Sequence, residues 1–196
     1  MNYGASESAS QLMANNAADT ATSSDSWFLG SRLEMVMLVS VILDAMAGGI
    51  IFIFSNTILP SLATLDPEVA IKAMNTINVI IVNPLFVISF FGGLISGYPA
   101  YVMWKNPDEF SKPARYYAIA ATLTFFFGEF LVTVTQNVPR NDALLVVDPE
   151  SDDGVNYWEV NFLQGWRAWN TARCVFSMIA SVFAGLSLCL MRKPSK

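Results

Sequence analysis

Residues 35–59 read MVMLVSVILDAMAGGIIFIFSNTIL, an unbroken apolar run with one charged side chain, Asp44. At about 1.5 Å per residue, a helix of this length crosses the roughly 30 Å hydrocarbon layer of a bilayer with length to spare. Further stretches share this character: Ile77 to Met103, Tyr116 to Thr135, and Cys174 to Met191, the last in a helix that starts near Asn161. Lipid offers no hydrogen bonds to a bare backbone, so open chains cross it only as helices. The sequence therefore predicts an all-α fold: an integral membrane four-helix bundle with a structured outer loop between the third and fourth spans.

The whole-chain composition points the same way. Of 196 residues, 54% are apolar and 14% charged, against about 25% charged in a soluble domain, and the mean hydropathy is +0.44. A net charge of −5 argues against nucleic acid as a partner, because phosphate binding needs a basic surface. The chain has no histidine, which removes the commonest metal ligand and general base. Cys174 and Cys189 share one predicted helix, about 22 Å apart along it and beyond disulfide reach. No metal and no cofactor are expected. Residues 1–30 read as a disordered polar tail, without the basic start and apolar centre of a secretory signal. Residues 31–193 read as the membrane domain.

Proline and charge place the boundaries. Pro60 is expected to close the first span. Asp66-Pro67-Glu68 has the form of an N-cap, a proline at the first helical position and an acidic first turn. The second helix should thus begin near Pro67 and run on into the membrane, kinked at Pro84. Pro139 is expected to turn the chain, leaving Asn141 or Asp142 to cap a short next helix. With four spans, Arg32, Lys105, Lys112, Arg115, Arg192, Lys193 and Lys196 fall on one side and Lys72, Arg140, Arg167 and Arg173 on the other. That bias predicts cytoplasmic termini. Tyr98, Tyr101, Trp104, Tyr116 and Tyr117 read as an interfacial aromatic belt. Ala45 and Gly49, Gly93 and Gly97, and Ser177, Ser181 and Gly185 have the spacing of close helix packing, within one chain or, at Gly93–Gly97, in a homodimer.

The ionisable residues at membrane depth are Asp44, Glu129 and Arg173. Each costs about 2.5–3.5 kcal/mol or more at the bilayer centre unless paired or wetted. Helical periodicity puts Glu129 on one face with Thr122, Thr133 and Gln136, and Arg173 on one face with Trp166, Trp169 and Asn170. Glu129 and Arg173 reach similar depth on antiparallel spans, either as a structural ion pair or as the border of a polar pocket. A buried Asp44 or Glu129 is a candidate proton acceptor or donor. Asn75 and Asn78 lie three apart, and Asn83 precedes Pro84. The stretch Thr135 to Leu144 is dense in hydrogen-bonding side chains. Structurally, these cap helix ends. Functionally, Asn137, Asn141, Asn170 and Arg173 have the chemistry to hold an oxyanion or phenolate, and Trp166 and Trp169 the rings to stack on a flat aromatic ligand.

Asn137-Val138-Pro139-Arg140-Asn141-Asp142-Ala143-Leu144, Val147-Asp148-Pro149, Trp158 and Trp166-Arg167-Ala168-Trp169-Asn170-Thr171-Ala172-Arg173 resemble the paired N-V-P-x-N-D-x-L and W-x-x-W-N-x-x-R stretches of the anthrone oxygenase-like family of small membrane proteins. Pro60-Ser61-Leu62, Ala73-Met74-Asn75-Thr76-Ile77-Asn78, Asn83-Pro84 and Phe86 resemble its first loop and second helix. The likeness covers roughly residues 35–190. It implies a four-helix membrane protein and, since fungal members are implicated in oxidising anthrones to anthraquinones, a cofactor-independent oxygenase acting with O2 on a lipophilic aromatic or polyketide-like substrate. On that reading Asp142 or Glu129 is the base. Asn141, Asn170 and Arg173 stabilise the oxyanion, and Asn137, Trp166, Trp169, Asn78 and Asn83 contact substrate. Some members carry a histidine suited to act as a base; here only carboxylates remain. The expected partners are membrane lipids, a lipophilic small molecule and either a second copy or a larger membrane complex. The competing readings are a non-enzymatic scaffold, accessory subunit or lipophilic-ligand carrier, and a transporter or channel built around Asp44.

Overall fold

The computed structural model describes residues 30–191; the expected tail, residues 1–30, lies almost wholly outside them. Its helices are α1 (Gly30–Leu62), α2 (Pro67–Ile81), α3 (Pro84–Lys105), α4 (Lys112–Val146) and α5 (Asp152–Leu190). α1, α3, α4 and α5 are each long and apolar enough to cross a membrane. The all-α, multi-pass bundle expected from the apolar runs is what forms. Val79, Leu85, Ile88, Phe127, Val182 and other large apolar side chains stand exposed around it, as a surface that meets lipid requires.

α4 and α5 pack along much of their length. With 35 and 39 residues, they extend about 52 and 58 Å, well beyond the roughly 30 Å hydrocarbon layer. The excess projects at what we call the upper end, opposite the end where α1 starts and α5 stops. The expected outer loop is therefore mostly helix, with residues 147–151 alone linking α4 to α5. α2 lies against this projection. Its Ala70, Ile71 and Met74 share a buried cluster with Leu144, Trp158, Phe162 and Trp166. Asn75 Nδ2 donates to the Leu144 carbonyl at 3.2 Å, and Lys72 Nζ reaches Glu68 at 2.5 Å and Glu150 at 3.3 Å. A second apolar cluster, with Leu33, Met37, Met103, Phe110 and Met191, closes the lower end. The belt residues Tyr98, Tyr101, Trp104 and Tyr116 stand exposed there.

The prolines act differently from the sequence expectation. Pro60 does not close α1, and Pro139 does not turn the chain; both sit within continuous helix. Each follows a widened π-turn, Phe54–Ile58 and Thr133–Asn137, closed by Leu59 N–H to Phe54 O and Val138 N–H to Thr133 O. A proline ring normally collides with the carbonyl four residues back. Here those carbonyls, on Asn56 and Thr135, belong to the wide turns, which give the ring room. Asn141 and Asp142 accordingly lie inside α4 and cap nothing.

Pro84, by contrast, breaks the helix outright instead of kinking it. Val82 (φ −76°, ψ 67°) makes a tight reversal in which Asn83 N–H reaches Ile81 O at 2.7 Å. Asn83 is extended (ψ 164°), as a residue before proline tends to be. Its carboxamide oxygen accepts from Leu85 and Phe86 N–H, both at 3.1 Å. α2 thus stays separate, and the second span starts at Pro84. Asp66 caps α2 as expected, accepting from Glu68 N–H. α5 begins earlier than Asn161, capped by Ser151, which accepts from Gly154 N–H at 3.0 Å.

Candidate functional site

The upper end encloses a cavity of about 110 Å³, room for several waters or a small ring. α1 contributes Ile50, Ile51 and Phe54 to its wall; Ile81, Val82, Phe86 and Val138 complete the apolar lining. Val82 and Val138 are 68% and 41% exposed, so the cavity opens on the bundle's apolar flank. Its polar wall comprises Asn78, Thr133, Asn137, Asn141, Trp166 and Arg173.

Arg173 is held by a buried network. Its Nε and Nη2 both donate to Asn170 Oδ1, at 3.0 and 2.6 Å, and Nη1 donates to Thr133 Oγ1 at 2.9 Å. Asn170 is anchored in turn through Nδ2, which donates to Ile51 O at 2.8 Å and to Ser55 Oγ at 2.7 Å. Three of the five N–H groups of a guanidinium are thereby engaged, and two remain for the cavity. The guanidinium also lies 5.7 Å from the centroid of Trp166, within cation–π range. Trp166 is fixed by stacking on Phe162 (5.6 Å, 18°), itself stacked on Trp158 (5.3 Å, 16°), while Phe54 packs at 5.9 Å.

Several cavity groups have no protein partner: Asn78 Nδ2, Asn137 Oδ1, Asn141 Oδ1 and Trp166 Nε1. Asn137 is oriented by its other end, Nδ2 donating to Trp166 O at 3.2 Å. Buried polar groups are nearly always hydrogen-bonded, so such a convergence needs an explanation. Two donors, two acceptors and a cation face one apolar hollow, where water or a polar guest would satisfy them.

The π-turns build this wall. Four occur among the described residues, at Phe54–Ile58, Phe126–Phe130, Thr133–Asn137 and Tyr157–Phe162, and such turns gather at functional sites. On α4 they add residues to the repeat, so Glu129 is followed on the buried face by Thr133 and Asn137, with Gln136 only half-buried. Periodicity had predicted Gln136 there. Gln136 instead accepts from Arg140 Nη1 at 3.0 Å.

Of the sequence candidates, the fold gathers Asn78, Asn137, Asn141, Trp166 and Arg173 at the cavity, with Asn170 directly behind Arg173. The others lie elsewhere. Trp169 is 39% exposed and forms no part of the slot, because it sits at the edge of the Trp166–Asn170–Arg173 stripe and faces outward. Asn83 is the cap of α3. Asp142 is exposed and lines an adjoining groove that shares Asn78, Val82, Val138 and Asn141 with the cavity. Glu129 is fully buried but does not line the cavity, and its carboxylate has no hydrogen-bond partner. The expected Glu129–Arg173 ion pair does not form as a direct contact. Arg173 is satisfied by Asn170 and Thr133, and Thr133 Oγ1 donates to the backbone carbonyl of Glu129 at 2.8 Å. Sequence reasoning missed Phe54 and Ser55 as site elements. The only signal for them was a polar Ser55-Asn56 pair ahead of Pro60.

Fold and site together define a multi-pass helical membrane protein with a polar-walled cavity at one end of its bundle. The anthrone oxygenase family profile matches residues 76–183, from α2 through most of α5, and includes both halves of the polar wall. The chain belongs to that family. No curated protein and no solved structure matches it.

Proposed function

We propose that the protein is a membrane-embedded oxygenase that oxidises a lipophilic, ring-bearing substrate with O2, without a cofactor, in the upper cavity. The observation that carries this reading is the convergence of the unpartnered groups of Asn78, Asn137, Asn141 and Trp166 with Arg173 in an apolar hollow. Family membership supports the choice of reaction type. An anthrone has an acidic CH2 between two rings and conjugated to a carbonyl. Loss of one proton gives an enolate whose charge rests on oxygen. Donors placed at that oxygen lower the barrier to the enolate, and Arg173, Trp166 Nε1 and Asn78 Nδ2 are the available donors. The enolate carbon gives electrons to O2. One oxygen atom stays as the new carbonyl, and the other leaves in water with the two hydrogens of the CH2. Asp142, across the shared wall in the adjoining groove, receives the first proton through water. Asn170 positions Arg173 and does not touch substrate.

The test is quinone formation from an anthrone under O2 by purified protein in lipid. We expect turnover that falls about 100-fold or more in Arg173→Met, the scale of losing an oxyanion donor. A wild-type rate equal to that of Arg173→Met or of empty vesicles overturns the reading. The opening of the cavity on the lipid-facing flank also favours a second reading, a carrier for the same class of ligand. Tight ligand binding without turnover would decide for it. The excess of Lys and Arg on the side of the termini supports a cytoplasmic location for both.

A further inference from the structure

Below the cavity, the centre of the bundle holds two carboxyl groups that the proposed reaction does not use. Asp44 on α1 is 1% exposed and Glu129 on α4 is fully buried. No charged or backbone group hydrogen-bonds their carboxylate oxygens. Asp44 Oδ1 and the ring of Phe125, one turn before Glu129 on α4, lie against the same face of Gly93, and Arg173 reaches Glu129's helix one turn further on, at Thr133. Fully buried hydroxyls flank them: Ser40, one turn before Asp44 and beside its carboxyl, and Ser177, one turn after Arg173 and without a partner. Ser177 packs beside Gly48, one turn beyond Asp44; a Cβ on Gly48 would meet Ser177 Cβ at 3.4 Å. α3 closes the cluster with Gly93, where a Cβ would stand 2.2 Å from Asp44 Oδ1 and 2.3 Å from Phe125. The chain thus keeps a glycine where any side chain would displace the carboxyl.

Charge counting shows what this site lacks. The titratable groups facing it are Asp44 from α1, Glu129 from α4, and Arg173 with the Cys174 thiol from α5; α3 brings none. The thiol donates to Gly48 O at 3.5 Å and is neutral in that role. Two carboxylates against one guanidinium leave one uncompensated negative charge in an apolar interior, which is strongly unfavourable. One added positive charge balances the cluster, and the buried serine oxygens offer acceptors for it.

We propose that Asp44 and Glu129 form a binding site for a single exchangeable proton at the centre of the bundle, below the cavity and sharing Arg173 with it. Arg173 sets the proton count, because it compensates one carboxylate and leaves the other to be neutralised. The site does not depend on the oxidation chemistry and stands whether or not the cavity turns over substrate.

The measurement is infrared difference spectroscopy, in H2O and D2O, of the full-length protein in phosphatidylcholine vesicles at neutral pH without added sodium. A protonated carboxylic acid gives a carbonyl band that shifts on deuteration. The wild type should show one such group. The double variant Asp44→Asn/Glu129→Gln, which removes buried charge and keeps the shapes, should show none. Arg173→Met should show two. If Arg173→Met does not fold, the wild type and the amide variant decide alone. No band or two bands in the wild type, a band that persists in the amide variant, or a band abolished by sodium chloride, which would mark a cation site, each overturns the proposal.

Discussion

Replacing Asn170 by alanine should unseat Arg173 and weaken the whole upper end. The carboxamide receives two charge-assisted bonds from the guanidinium, at 3.0 and 2.6 Å, and sends two to α1, at 2.8 and 2.7 Å. Hydrogen bonds to charged groups contribute about 1.5–3 kcal/mol each, and neutral ones about 0.5–1.5. The two bonds from Arg173 end on one oxygen and are not independent, so with these counted once and the two neutral bonds to α1 added, Asn170→Ala should destabilise the protein by about 3–5 kcal/mol. Removing both partners should recover much of that, since apolar replacement of a buried polar pair is often near neutral. The assay is a double-mutant cycle of Asn170→Ala and Arg173→Met, followed by unfolding in mixed micelles. The expected coupling is about 2 kcal/mol or more. Coupling within about 0.5 kcal/mol, the scatter of independent sites, would refute the claim that Asn170 holds Arg173.

Trp166→Phe keeps the stack on Phe162 but removes the unpartnered indole N–H. Its affinity for an anthrone should fall about tenfold, equivalent to one hydrogen bond, while Trp169→Phe should leave titrations unchanged. Gly93→Ala should lose about 1–3 kcal/mol by overpacking against Asp44 and Phe125 in a thermal melt. Gly49→Ala and Gly185→Ala, where a Cβ meets nothing within 4 Å, should be neutral or stabilising by the helix propensity difference of up to about 1 kcal/mol. Asn83→Ala should destabilise by about 1 kcal/mol through loss of the α3 cap and leave the dissociation constant for an anthrone unaltered.

The spans were legible because a bilayer makes a strict demand: some twenty apolar residues in a row leave little else for a chain to be. Asp66-Pro67 marked a helix start for an equally local reason, an acceptor side chain and a preset φ at adjacent positions. Pro60, Pro84 and Pro139 show where such reading stops. All three disrupt regular α-helix, but whether the chain breaks or widens depends on its neighbours. Asn83 supplies a cap that makes the break favourable at Pro84. At Pro60 and Pro139 the flanking residues stay packed in the bundle, and a π-turn absorbs the ring. The same turns displaced Gln136 in favour of Asn137, because a fixed 3.6-residue period cannot register an inserted residue.

Within the site, residue chemistry was more legible than pairing. The amides, Trp166 and Arg173 do converge. The partner of Arg173 was misjudged because formal charge suggested Glu129, whereas a carboxamide three residues away on the same helix was already in reach. Trp169 failed for a geometric reason: the buried stripe on α5 is narrow, and a side chain at its edge finds more apolar contact facing lipid than facing a polar wall.

Photolabelling offers the most direct test of the cavity as a ligand site. A photoreactive anthrone, irradiated with the protein in vesicles and mapped by peptide sequencing, should label residues 137–141 and 166–173, and excess unlabelled anthrone should abolish the label. Label scattered over the lipid-facing positions Val175, Met178 and Val182, or label that excess anthrone does not displace, would contradict it.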